Sequence, residues 1–246
     1  MEASDLAIQL VAEALRQGFS DDVLREQLRI ATANLDPTEK FAVLANAWCQ
    51  AVDTALDDHL LTDEEEARLA TLKNALGVAD ALLDKNGHLT RLVKAAVLRD
   101  LQKGVVKCRC SMSAPLPFKL IRGEELLWAF PHVALNERIK KRDVIGGSSG
   151  FSIRLAKGIY WRIGGFRAVP RVREEVKQTD SGLFAITNKH LLFNGVVRHL
   201  KLPITGLATV EPFDSAIEVQ RDSGSATPML FLGLDGWFVY NAIQLC

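Results

Sequence analysis

Apolar residues recur at helical spacing through roughly the first hundred positions and then change to alternation. Leu6, Ile8, Leu10, Val11, Ala14 and Leu15 mark a first helical face, with Gly18 where that helix stops. Ser20 reads as an N-cap ahead of Val23, Leu24, Leu28 and Ile30, and Asp21 and Asp22 fall in the first turn, where the helix dipole favours anions. Pro37 opens a third helix, whose apolar face is Phe41, Leu44, Ala45, Trp48, Val52 and Leu56. Thr62 with Glu65 forms a capping box for a fourth, running through Leu69, Leu72 and Leu76 to Gly77. A last helix covers Leu89 to Gln102 and ends at Gly104.

After Gly104 the stretch Ser111-Met112-Ser113-Ala114-Pro115-Leu116-Pro117 cannot continue a helix, because proline lacks the N–H and clashes with the preceding turn. Beyond it Phe151, Ile153 and Leu155 alternate with polar positions, Lys157-Gly158 turns the chain, and Ile159, Trp161 and Ile163 alternate again, a hairpin signal. Leu183 to Ile186, Leu191 to Phe193, Val196 to Leu202, Ile217 to Gln220 and Met229 to Leu232 read as further short strands, and Trp237 to Leu245 as a closing helix. The fold class expected is α+β: a helical domain over 1–104, a linker over 105–117, and over 118–246 a small β-barrel or sandwich closed by the C-terminal helix.

A length of 246 residues with 48% hydrophobic composition suits two modest cores. No run is apolar and long enough for a membrane span, the start Met1-Glu2-Ala3-Ser4-Asp5 lacks a basic signal region, and the four cysteines do not form a small secreted framework, so a cytoplasmic protein with reduced thiols is expected. The overall charge of zero conceals an asymmetry. Residues 1–66 sum to −11, and residues 138–177, with eleven bases against Asp143, Glu174 and Glu175, sum to +8. Such a field steers an oppositely charged partner or is neutralised inside the molecule.

The run Ser181-Gly182-Leu183-Phe184-Ala185-Ile186-Thr187-Asn188-Lys189-His190-Leu191-Leu192-Phe193-Asn194-Gly195 resembles the GRAM and bacterial pleckstrin-homology (PH) pattern of glycine, apolar strand, Thr-Asn-Lys turn and Leu-x-Phe. Gly123-Glu124-Glu125-Leu126-Leu127 resembles the beginning of that fold's first strand, and Asp235-Gly236-Trp237-Phe238-Val239-Tyr240-Asn241 the start of its last helix. In the first half, Asp57-Asp58-His59-Leu60-Leu61-Thr62-Asp63-Glu64-Glu65-Glu66 resembles the central turn of tellurite-resistance TerB-like helical domains, with His59 where such turns usually carry glycine. The resemblance implies a PH-like module of about residues 116–246 joined to a TerB-like one, and neither implies an enzyme.

The residues themselves supply no catalytic constellation, cofactor motif or metal site. Two segments imitate calcium loops, but Thr54 and Leu56 stand where the first carboxylates belong, and Val93 where the bidentate acid belongs. Cys108-Arg109-Cys110 offers two thiols without a second pair nearby, which favours packing at a domain junction over zinc. The candidate binding residues are therefore the bases Arg138, Lys140, Lys141, Arg142, Arg154, Lys157 and Arg162, together with an acidic face of Asp57, Asp58, Asp63, Glu64, Glu65 and Glu66. In a PH-like fold Arg138 to Arg142 and the flexible Gly146-Gly147-Ser148-Ser149-Gly150 would lie between the first two strands, the loop many eukaryotic PH domains use for phosphoinositide headgroups. The expected function is non-enzymatic binding or scaffolding with a protein partner. The alternatives are a peripheral membrane protein docking on anionic lipid through 138–142 and an enzyme with a dispersed site. Nucleic acid is disfavoured by the acidic half and the few aromatics among the bases, and homo-oligomerisation through the β domain is a further option. The competing account of the charge is internal, with the acidic turn covering the basic segment.

Overall fold

The computed structural model describes residues 3–17, 21–57, 61–110, 115–156, 159–223 and 227–246, for Asp21 and residues 138–176 the backbone only. Gly18, Ser20, Asp58, His59, Lys157 and Gly158 thus lie outside the described residues. Helices α1 (Ala3–Gln17), α2 (Asp21–Ala31), α3 (Pro37–Ala55), α4 (Asp63–Leu76), α5 (Asp80–Leu83) and α6 (His88–Gln102) occupy the first half. Their limits follow local chemistry. Pro37 sits at the start of α3, where its missing N–H is of no consequence, and Asp36 Oδ1 accepts from the Thr38 and Glu39 amides at 2.8 and 3.0 Å. In the α4 capping box the Glu65 amide donates to Thr62 Oγ1 at 3.2 Å and the Thr62 amide to Glu65 Oε2 at 2.9 Å, and Gly77 closes the helix at φ 61°. Trp48 is wholly buried among Val11, Val52, Leu69 and Leu72, and its indole N–H donates to the Leu69 carbonyl at 3.1 Å, so the large ring carries no unsatisfied donor. Helix α5 is too short to show a period in the sequence, yet it places Leu83 in this core.

Strands β1 (Leu126–Ala156), β2 (Ile159–Thr187), β3 (His190–Gly195), β4 (His199–Pro203), β5 (Leu207–Phe213), β6 (Ala216–Arg221) and β7 (Met229–Leu232) form one seven-stranded antiparallel sheet, followed by α7 (Gly236–Leu245). The order is β4-β3-β2-β1-β7-β6-β5, with Ala134 opposite Leu232, Ile217 opposite Phe231 and Val210 opposite Val219. The α+β class and the C-terminal helix are as expected, but the sheet is open, with β4 and β5 at its edges, where a small barrel or sandwich was expected. Two strand expectations change as well. Val196 to Arg198 is a turn and not the start of a strand, and the Gly146 to Gly150 segment lies within β1 and is not a loop. Strands β1 and β2 are 31 and 29 residues long, whereas β3 to β7 have four to seven. Their short neighbours β7 and β3 can flank only a fraction of them, so most of this hairpin has only its own two strands for pairing.

Contacts divide the chain into two compact units: Met1–Ala129 with Ala185–His190 and Phe238–Cys246, and Phe130–Phe184 with Leu191–Trp237. In the first, Trp128 meets Phe238 of α7 edge to face at 5.5 Å, with the Lys94 ammonium 5.8 and 5.4 Å from the two rings. In the second, Phe231 stacks against Phe184 and Phe193 at 4.9 and 5.5 Å, and all three are buried. Gly236 is required there by close approach: a Cβ would stand 1.8 Å from the Ala216 carbonyl oxygen and 2.3 Å from that of Phe213. No helix among the described residues is long and apolar enough to cross a membrane.

Candidate functional site

The acidic face of the sequence is drawn into the helices' own framework. Glu65 is consumed by the capping box, and Glu64 lies 3.5 Å from Arg68 one turn on. Asp63 pairs with Arg99 and Lys103, and Glu66 with Arg99 and Arg109. Asp100, itself nearly buried, receives Arg99 at 2.9 Å and Arg109 at 2.7 Å. Burial penalises the Asp100 charge, but these two guanidinium groups more than offset that and hold its carboxyl below the ordinary range. Of the six acids, Asp57 is exposed in the turn that follows α3, and Asp58 is outside the described residues. Asp63 and Glu66 thus bridge α4 to α6 and the segment after it, while Glu64 and Glu65 bond locally at the start of α4.

Of the bases, Arg138, Lys140, Lys141, Arg142, Arg154 and Arg162 lie on β1 and β2, where only backbone is described, and Lys157 falls outside. Next to them in the sheet order, the β3–β4 turn has a geometry that sequence reasoning missed. Val196 and Val197 occupy its two central positions and are 87% and 74% exposed. Valine is a poor turn residue, since the favoured two-residue hairpin turns need positive φ, and neither valine has it. What holds the turn is Asp180 on β2. Its carboxylate accepts from the amides of Ser181 (2.8 Å), Val196 (3.0 Å), Val197 (3.0 Å) and Arg198 (2.7 Å). Burial pushes the Asp180 pKa up, and the four backbone donors outweigh it, leaving the carboxyl below its ordinary value. Gly195 leaves room for this carboxylate, because a Cβ there would stand 2.1 Å from Asp180 Oδ2. Arg198 in turn pairs with Glu137 of β1.

A second polar cluster joins the two sequence segments around Glu124 and Thr187. Glu124 is buried; its Oε1 accepts from Thr187 Oγ1 at 2.9 Å and from His190 Nδ1 at 2.8 Å, and its Oε2 from the Ile121 amide at 2.9 Å. Asn188 Oδ1 receives the Glu125 amide at 2.9 Å while its Nδ2 donates to the Gly123 carbonyl at 3.1 Å, and Lys189 Nζ donates to the Arg122 carbonyl at 3.1 Å. Each residue of the Thr-Asn-Lys-His turn therefore grips the Arg122 to Glu125 segment. Histidine, hydroxyl and acid do meet here, across a sequence separation that hid them, but Thr187 and His190 bond the same carboxylate oxygen. The acid orients both, and neither activates the other.

Between α6 and α7 a cleft of about 340 Å³ is lined by Leu61, Leu98, Arg99, Gln102, Asn241 and Gln244, among others, and its one guanidinium is the one already bound to Asp63, Glu66 and Asp100. In the second calcium-like segment, Asp84 accepts from the Thr90 amide and hydroxyl at 2.8 and 2.7 Å, steadying the first turn of α6. Among the described residues no three of His, Cys, Asp or Glu converge on a metal position. Cys108 is exposed and Cys110 half-buried, with their sulfurs 3.4 Å apart. Compared with known proteins, the chain matches no family model, no curated protein and no solved structure.

Proposed function

We propose that this chain is a non-enzymatic binding or scaffolding protein that docks an acidic protein partner on the Val196-Val197 turn and the adjoining basic hairpin. In this reading residues 118–246 are a PH-like recognition or assembly module, and residues 1–104 a TerB-like helical module that regulates it or adds a second contact. The meeting of Gly123 and Glu124 with the Thr187 to His190 turn supports the PH-like assignment, because the two segments that carry the resemblance hold each other in place.

The observation that carries the function is the pinned turn. A buried carboxylate and four backbone donors keep two β-branched apolar side chains in water, where their burial elsewhere would be worth more to the fold. Apolar anchors of this kind gain their energy when a partner buries them. The basic segment of net +8 then supplies attraction and orientation for an acidic surface. An anionic membrane would answer to the same chemistry, and one experiment separates the two. A photo-crosslinking residue is placed at Val197 of the full-length protein in its host, and the purified protein is sedimented with phosphatidylserine vesicles at low and high salt. A discrete crosslinked protein that vanishes when Arg138, Lys140, Lys141 and Arg142 are changed to glutamate is the expected result. Vesicle binding that weakens with salt, without a protein crosslink, would transfer the site to lipid. Absence of both the crosslink and the vesicle binding would refute a docking role for the turn.

A further inference from the structure

The segment after α6 carries a pair of thiols held by an anchor between them. Arg109 Nε donates to Asp100 Oδ2 at 2.8 Å, and its terminal nitrogens pair with Asp100 and Glu66. Arg109, between the two cysteines, is thus fixed to Asp100 and Glu66. Their sulfurs stand 3.4 Å apart, within contact distance and short of a bond. Cys108 is open to solvent, whereas Cys110 is half-buried, its sulfur facing the Ala129 backbone N–H. The two thiols therefore differ in access, as an attacking and a resolving thiol do. Burial and the neighbouring Cys108 sulfur push the Cys110 thiol up to about 12, which leaves Cys108 as the one that reacts first.

We propose that Cys108 and Cys110 are a reversible dithiol–disulfide pair, oxidised by a low-molecular-weight disulfide and opposed by the Arg109 anchor. The Cys108 thiolate attacks one sulfur of the small disulfide, forming a mixed disulfide and releasing one thiol. Cys110, giving up its proton, then attacks the Cys108 sulfur, and the second small thiol leaves. The protein loses two electrons and two protons, and the small disulfide becomes two thiols. Closing a ring across one intervening residue draws Cys108 and Cys110 together and bends the backbone at Arg109, which works against its bonds to Glu66 and Asp100. A strained pair of this kind has a more oxidising potential than a structural disulfide and so stays reversible.

The test equilibrates the full-length protein with glutathione buffers of graded ratio, blocks the remaining thiols and maps them by mass spectrometry. In the unmodified protein two of the four cysteines should become protected together, in a peptide two hydrogens lighter that contains both Cys108 and Cys110. Cys110→Ser should instead accumulate a glutathione adduct on Cys108, and Cys108→Ser should take up little at Cys110. Arg109→Ala should raise the equilibrium constant for oxidation about tenfold, the worth of one charge-assisted hydrogen bond. A stable adduct on Cys108 of the unmodified protein, or a disulfide involving Cys49 or Cys246, would overturn the pairing. An unchanged equilibrium in Arg109→Ala would overturn the anchor.

Discussion

Asp180 shows how one side chain sets a surface that no local pattern announces. Three of the four amides it binds belong to residues 16 to 18 positions further on, and its burial depends on the pairing of β2 with β3, so no local pattern beside Asp180 in the sequence marks it. The Thr187 to His190 turn, by contrast, is visible as a pattern because its small polar residues are adjacent, although their common partner Glu124 is not. Asp180 also makes a pH prediction. Its carboxyl ionises more readily in the folded protein than in an unfolded chain, so its stabilisation is complete above the unfolded value and is lost as pH falls through the folded one. Asp180→Asn should destabilise the protein at neutral pH, because an amide N–H₂ replaces one accepting oxygen among four donors. As pH falls below about 5 the difference in melting temperature between the two proteins should shrink, since the unfolded aspartate titrates near 4. A gap that stays constant with pH would show that the carboxylate charge contributes nothing.

Among the elements, the helices were the legible part because their signals are local: Pro37, Thr62 and Gly77 act within one turn of themselves. The sheet was less so. Strand β5 escaped because its exposed positions and Pro212 blur the alternation, and of β1 only the two ends were read, at Leu126-Leu127 and Phe151 to Leu155, because lysines, arginines and a glycine-serine run interrupt it. Both edges carry features that resist pairing with another chain: β4 is five residues long with Lys201 and a terminal Pro203, and β5 has a register shift between Leu207 and Thr209 as well as Pro212. That leaves the β3–β4 turn as the better contact surface. Changing Val196 and Val197 together to aspartate should shift stability by no more than about 0.5 kcal/mol per site, because both side chains are solvated, while removing the crosslinked partner. A denaturant midpoint that falls sharply would mean the valines serve the fold. Gly236→Ala makes the opposite prediction: a methyl group forced against two carbonyl oxygens should cost about 1–3 kcal/mol or more of overpacking, seen as a lower midpoint in denaturant. An unchanged midpoint would mean that the Ala216 and Phe213 backbone yields freely.

For the whole molecule, the sequence boundary and the contact boundary lead to different expectations. The break in periodicity and the prolines place a linker at 105–117, which is also where a protease should cut first. Yet the compact unit that holds the helices also contains residues 118–129, Ala185–His190 and Phe238–Cys246, all of them C-terminal to that break. Within this unit Lys94 of α6 lies over Trp128 and Phe238, the walls of the cleft beside Arg99 come from both α6 and α7, and the Cys110 sulfur faces the Ala129 amide. Helix propensity and hydrophobic period report neighbours a few residues apart, so they cannot reveal that the last helix belongs with the first six. Cleavage between Gly104 and Pro117 should therefore leave two fragments that elute together under native conditions and part only when the helices unfold. Expressed separately, residues 118–246 should expose Trp128 and Phe238 and bind a hydrophobic dye more strongly than the nicked whole. Size-exclusion chromatography of the nicked protein decides the matter. Two separate, folded fragments with unchanged melting behaviour would show that residues 1–104 and 118–246 are independent domains, and that the contacts of α7 with α6 contribute little.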